Sequence, residues 1–140
     1  MRIALDAMGG DNAPVETIKG AVAALSEIEK LQLVLVGKKE VIEAELSKYK
    51  YSKERIEIVD TREVIEMTDD PVTAVKTKKD SSMNKTLELA KEGIVDASVS
   101  AGNTGALITA SQLKLKRIKG VLRPAIATMF PNKKGTYVNA

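Results

Sequence analysis

The 140-residue chain contains no cysteine and no histidine, and only 3% of its residues are aromatic. These absences exclude several familiar chemistries. Without cysteine there is no disulfide and no thiolate nucleophile or ligand, and without histidine there is no Ser-His-Asp triad and no imidazole-based metal site. Scarce aromatics remove the stacking platforms that hold single-stranded nucleic acid. The 22 basic residues are scattered among 19 acidic ones, for a net charge of +3, so no basic stripe faces a duplex. No nucleic-acid partner is expected. No apolar run approaches the roughly 20 residues of a membrane span, and Asp6 interrupts the apolar stretch that a secretory leader at this N-terminus would need. A cytoplasmic protein is expected, with peripheral membrane association left open. Any chemistry must rest on backbone amides, Lys and Arg, carboxylates and hydroxyls, and neither a metal nor a cofactor is expected.

With 44% hydrophobic and 29% charged residues, the composition is that of a globular domain, and at this length about two thirds of the unfolded surface can be buried. One α/β domain over residues 1–140 is expected. Arg2 to Ala7 reads as a strand closed by Gly9-Gly10. Asn12 then offers a cap, and Pro14 sits in the first turn of a helix whose apolar residues Ile18, Ala21, Val22, Leu25 and Ile28 recur at helical spacing. The pattern repeats at once, with a strand over Leu31 to Val36 ended by Gly37, a helix marked by Val41, Ile42 and Leu46, and a strand over Arg55 to Val59. Val64 to Met67 reads as a brief extended piece before a helix opened by Asp70 and Pro71. A further helix carries Met83, Leu87 and Ala90 and stops at Gly93, and a strand over Ile94 to Ser100 leads to a helix running from Asn103 to about Lys119. Ala125 to Phe130 and Gly135 to Val138 read as two more strands. Apolar strands separated by helices predict a three-layer αβα fold with a doubly wound, mostly parallel sheet.

Three loops in this pattern are rich in groups that suit an anion. In Val99-Ser100-Ala101-Gly102-Asn103-Thr104-Gly105-Ala106, glycines remove the Cβ atoms that keep a phosphate at a distance, just before a helix N-terminus with unpaired amides. Taken alone, it is also an ordinary turn capped by Asn103. In Asp6-Ala7-Met8-Gly9-Gly10-Asp11-Asn12, two glycines allow close backbone approach, while Asp6 and Asp11 could orient a donor or take a proton; a plain strand-to-helix turn reads the same way. In Lys78-Lys79-Asp80-Ser81-Ser82-Met83, either serine can cap the next helix and a lysine adds a full positive charge, or the lysines are simply a solvated pair. Arg123 is a fourth candidate cation. None of these is a Walker loop or a dinucleotide fingerprint, so the expected ligand is a small anion or phosphorylated group. The lysines between Lys114 and Lys119 either satisfy helix-end carbonyls or form a rim for an acidic protein or anionic lipid.

Ile3-Ala4-Leu5-Asp6-Ala7-Met8-Gly9-Gly10-Asp11-Asn12-Ala13-Pro14, Lys78 to Met83, Val99 to Ala106 and Arg123-Pro124-Ala125 occur in the order found in one family and span nearly the whole chain. The sequence resembles the acyl-acyl carrier protein:phosphate acyltransferases of bacterial phospholipid synthesis, the PlsX family. The resemblance implies transfer of a fatty acyl group from acyl carrier protein to inorganic phosphate, giving an acyl phosphate. It further implies a fold like that of isocitrate and isopropylmalate dehydrogenases, a homodimer, and a cytoplasmic enzyme that associates with the membrane. Family members are longer, so the chain corresponds to their N-terminal part. Where an Arg-rich segment is expected, this sequence has Val75-Lys76-Thr77. Competing readings are a phosphate acetyl- or butyryltransferase using coenzyme A thioesters and a non-catalytic phosphate-binding scaffold.

The implied chemistry needs no covalent intermediate, because phosphate is itself the nucleophile; the protein must position it and stabilise the developing oxyanion. Asp11, Lys79 and Asn103 are the expected catalytic residues. Gly9, Gly10, Ser81, Ser82, Gly102, Thr104 and Gly105 are expected to bind phosphate. Asn103→Ala and Lys79→Ala are expected to lower turnover and leave folding intact.

Overall fold

In the computed structural model, which describes residues 1–122, 124–132 and 135–139, four parallel strands form the main sheet. They are β1 (Arg2–Asp6), β2 (Gln32–Gly37), β3 (Ile56–Asp60) and β4 (Ala97–Val99), in the spatial order β3-β2-β1-β4. Between them run α1 (Val15–Glu27), α2 (Lys39–Leu46), α3 (Pro71–Thr77) and α4 (Ser82–Lys91), and α5 (Thr104–Lys114) follows β4. From β1 the chain steps outward to β2 and β3, then returns to the opposite side of β1 to form β4. The direction of winding therefore reverses between β1 and β4.

Side-chain alternation along the strands builds the layers. Ile3, Leu5, Leu33, Leu35, Ile56 and Ile58 face α1 and α2, meeting Ile18, Ala21, Leu25, Ile42 and Leu46. Ala4, Val34, Val36 and Val59 face the other way, against Leu89, Ala90 and Val95. The result is the three-layer αβα arrangement that the sequence predicts. Each Leu or Ile buried in these layers contributes on the order of 1.5–3 kcal/mol. Met83 and Leu87 extend from α4 into a second cluster with Ile65, Ala74, Val75, Ala106 and Ala110, so α3, α4 and α5 pack on one another. α1 has no basic residue in its last turn. Arg55 serves that end from a distance, donating to the carbonyls of Leu25 and Leu31 at 2.9 Å each and of Ile28 at 2.5 Å.

Several expected details differ. Asn12 does not cap α1 with its side chain; Pro14 holds the N-cap position, and the Asn12 carbonyl accepts from Glu16 N–H at 3.1 Å. The piece read as extended over Val64 to Met67 carries no regular element over 64–66 and turns at Met67, and the bridge beside it joins Glu63 to Ser81. β4 has three residues where seven were expected. The helix after Asn103 ends at Lys114 because the packed face ends at Ala110; Leu113, Leu115 and Ile118 are exposed, and Lys116 takes a left-handed φ of 67°. Only Lys114 thus lies in a last helical turn, where it pairs with Glu88 at 2.6 Å. The final two strands, β5 (Thr128–Asn132) and β6 (Gly135–Asn139), pair antiparallel with each other in a separate sheet and do not extend the parallel one. Arg123 lies outside the described residues.

Candidate functional site

Open α/β sheets place ligands beyond the carboxyl ends of their strands, at the point where winding reverses. Here that point is flanked by the loop after β1 and the loop after β4. The register pairs Leu5 with Val99, so Asp6 and Ser100 emerge side by side. The Ser100 hydroxyl donates to Asp6 Oδ2 at 2.7 Å and accepts from the Gly102 N–H at 3.1 Å. Asp6 Oδ1 accepts from the Met8 N–H at 3.2 Å.

The two loops touch through their glycines. A Cβ on Gly9 would lie 2.7 Å from Asp6 Oδ2 and 2.9 Å from both the Gly102 nitrogen and Ser100 Oγ. A Cβ on Gly102 would meet Met83 Cε at 3.1 Å and Gly9 Cα at 3.3 Å. Gly10 has a φ of +114°, in the region that favours glycine. Gly9 is therefore required by the contact between loops, whatever is bound there, while a side chain at Gly102 would be tightly placed.

At the start of α5, Asn103 is buried and its side chain is fully engaged. Its Oδ1 accepts from Ala106 N–H at 3.0 Å, and its Nδ2 donates to the carbonyls of Glu66, Met67 and Asp69 at 3.2–3.3 Å. One side chain thus caps α5 and fastens the 66–69 turn to it. Gly105 lies against Pro71, with a Cβ there only 2.9 Å from Pro71 Cγ. The 66–70 turn is held internally as well. The Lys78 ammonium bonds to Asp69 Oδ2 at 2.5 Å, and with the Glu66 N–H it holds the Asp69 carboxyl below the usual carboxylate range. Among the described residues, no acceptor meets the backbone N–H groups of Asn103, Thr104 and Gly105. With the exposed Thr104 beside them, they make a helix start of the kind that can receive an anion.

The other expected residues are placed differently. Ser81 and Ser82 are buried: Ser81 caps α4 through the Asn84 N–H at 3.4 Å, and the Ser82 N–H donates to the Glu63 carbonyl at 3.2 Å. They build the α3–α4 connection and present no hydroxyl to an open site. The Gly102 amide is likewise taken, by Ser100. Lys78 is committed to Asp69, which leaves the exposed Lys79 as the cation beside α4; no hydrogen bond ties it to the loop after β4. Asp11 is exposed at the tip of the first loop and makes no ion pair among the described residues. The Asn103 side chain has no N–H left for a phosphate, since its NH2 is shared among the Glu66, Met67 and Asp69 carbonyls. Ser100 lies within the anion-suited stretch before α5 but is not among the expected site residues. Only the pairing of β1 with β4 brings it to Asp6.

The fold has counterparts among solved structures: a phosphotransacetylase from Streptococcus pyogenes superposes over 99% of this chain and 45% of its own length with a TM-score of 0.69 at 18% identity, and the EutD phosphotransacetylase from Staphylococcus aureus over 99% and 44% with a TM-score of 0.63 at 18% identity. Residues 1–139 match the model of the family described as "Fatty acid synthesis protein", and the chain belongs to this family. A phosphate acyltransferase from Fusobacterium nucleatum is 67% identical over 134 residues, which are 96% of this chain and 40% of that protein. A phosphate acyltransferase from Clostridium kluyveri is 50% identical over 138 residues, covering 99% of this chain and 41% of the relative. The chain thus spans about two fifths of the length of the curated relatives it matches.

Proposed function

We propose that this chain supplies the phosphate-holding part of a phosphate acyltransferase that moves a fatty acyl group from acyl carrier protein to inorganic phosphate. The observation that carries the reading is the open amide row of Asn103, Thr104 and Gly105 at the winding reversal, beside a loop stripped of Cβ atoms at Gly9 and Gly10. Membership of the family and the names of its relatives supply the reaction class. A phosphate oxygen attacks the thioester carbonyl, the tetrahedral oxyanion collapses, and the carrier thiolate leaves as the acyl phosphate forms. Phosphate brings its own nucleophilic oxygen, so the absence of Cys and His costs the mechanism nothing.

In this scheme the α5 amides and the Thr104 hydroxyl hold phosphate, Lys79 adds positive charge from the α4 side, and Asp11 orients or takes a proton at the mouth. The Asn103 side chain builds the site, and only its backbone amide faces the substrate. Loss of one donor to the reacting oxygens typically costs about 2.7–4 kcal/mol of barrier. The family resemblance further suggests a cytoplasmic homodimer with peripheral membrane association; no helix among the described residues is long and apolar enough to cross a membrane.

The test is phosphate-dependent formation of acyl phosphate by the full-length protein, trapped with hydroxylamine as the hydroxamate. Acyl carrier protein thioesters are expected to outcompete coenzyme A thioesters. The reverse preference supports the acetyl- or butyryltransferase alternative, and phosphate binding with no hydroxamate supports a scaffold.

A further inference from the structure

We infer that Asp6 is a positioning residue of the phosphate site: through the Ser100 hydroxyl and the Gly102 amide, its buried carboxylate holds the loop after β4 in the arrangement that leaves the amides of Asn103, Thr104 and Gly105 open. The inference rests on the proposed function and adds the device that shapes its binding loop.

Asp6 is 1% exposed and has no cationic partner among the described residues. Burying a carboxylate on neutral donors alone is costly, and the parallel sheet does not require one at the end of β1. What a carboxylate does there is fix a proton. It can only accept, so the single hydroxyl proton of Ser100 must point at Asp6 Oδ2, which leaves a Ser100 lone pair directed at the Gly102 N–H. With that amide pinned, Gly102 cannot rotate its N–H toward the ligand side, and the next three amides carry the binding. A Cβ at position 9 would stand 2.7–2.9 Å from all three members of this chain, so only glycine fits beside it.

The sign of the effect separates this role from simple electrostatics. A negative charge near a phosphate repels it, so if charge dominated, Asp6→Asn would tighten phosphate binding. If positioning dominates, Asp6→Asn weakens it, because an amide NH2 can donate to Ser100 and release the hydroxyl proton from its fixed direction.

The experiment uses the full-length protein carrying this sequence, with phosphate varied at saturating acyl thioester. Asp6→Asn and Ser100→Ala are each expected to raise the KM for phosphate about tenfold, the effect of losing one charge-assisted hydrogen bond, with the thioester KM unchanged. The double variant is expected to be no worse than the poorer single one, since both act through one chain of bonds. Hydrogen exchange at the Gly102 amide is expected to quicken about tenfold in both variants, while exchange in β2 is unchanged, showing an intact sheet. An unchanged or lower phosphate KM, or an unaltered Gly102 amide, overturns the role of Asp6. A wild-type protein that forms no acyl phosphate instead overturns the functional reading; Gly102 exchange, together with inorganic phosphate affinity read from the Thr104 and Gly105 amide resonances, then decides the role of Asp6 alone.

Discussion

The starts of α4 and α5 look alike in sequence and differ in use. Each follows a turn, each has a polar N-cap whose side chain bonds to the third helical amide, and each is expected to bind an anion. At α4 the Ser82 amide goes to the Glu63 carbonyl and the Asn84 amide to Ser81 Oγ, on a helix start that is buried. At α5 the cap takes Ala106, while Asn103, Thr104 and Gly105 keep their amides free, and Thr104 is exposed. A cap residue marks where a helix begins. Whether its first amides remain available depends on what lies across them: the Glu63 carbonyl takes the Ser82 amide at α4, whereas the 66–71 segment packed on α5 meets the Asn103 side chain and, among the described residues, offers no acceptor to the amides of 103–105.

The substitution with the largest expected effect removes the close contact on which the α5 start depends. Gly9→Ala puts a methyl group 2.7 Å from Asp6 Oδ2 and 2.9 Å from the Gly102 backbone nitrogen. It is expected to cost about 1–3 kcal/mol of stability as overpacking and to abolish most phosphate-dependent turnover, measured by urea unfolding and hydroxamate assay. Stability and turnover both equal to wild type would show that the loops do not need this contact.

Next in size is Asn103→Ala, which removes a cap and the three carbonyl bonds of the 66–69 turn. A loss of about 1–3 kcal/mol is expected, in addition to the lower turnover. Ser81→Ala, whose cap bond is long at 3.4 Å, is expected to cost less, about 0.5–2 kcal/mol, and to leave the KM for phosphate unchanged. A Ser81 variant that damages phosphate affinity as much as the Asn103 variant would erase the contrast between the two helix starts.

Lys79→Ala is expected to change stability by no more than about 0.5 kcal/mol, as befits an exposed side chain, and to raise the phosphate KM several-fold. Wild-type kinetics at subsaturating phosphate would remove Lys79 from the site. The smallest effect is on acid stability. Asp69 has its carboxyl held down by Lys78 and by the Glu66 N–H, so it contributes stability that is present above the ordinary aspartate range and lost as pH falls through its own lowered value. Below about pH 4 the 66–69 turn is expected to loosen, seen as faster hydrogen exchange at Glu66. Asp69→Asn should remove that part of the pH dependence.

Much of the fold could be read from residue patterns, because period-two strands and period-3.6 helices follow directly from which side chains must be buried. Ile18, Ala21 and Leu25, or Leu33 and Leu35, announce their faces without reference to anything distant. The site was legible only as loops. That Asn103 caps α5 is local and was readable; that its Nδ2 fastens residues 66–69 depends on a turn more than thirty residues away. Ser81 and Ser82 looked available because nothing in their own stretch reveals that Glu63 lies across them. Nothing local marks Ser100, because its importance comes from standing beside Asp6 across two paired strands. The early end of α5 has the same origin, since its apolar residues continue past Ala110 but the elements they could pack on do not.

The most direct test of the central claim is an NMR titration of the isotope-labelled full-length protein with inorganic phosphate, following individual backbone amides. Saturable shifts at Asn103, Thr104 and Gly105, with Ser82 and Asn84 unmoved, are predicted. Shifts centred on the start of α4, or none at α5, would contradict the assignment of the phosphate site to the loop after β4.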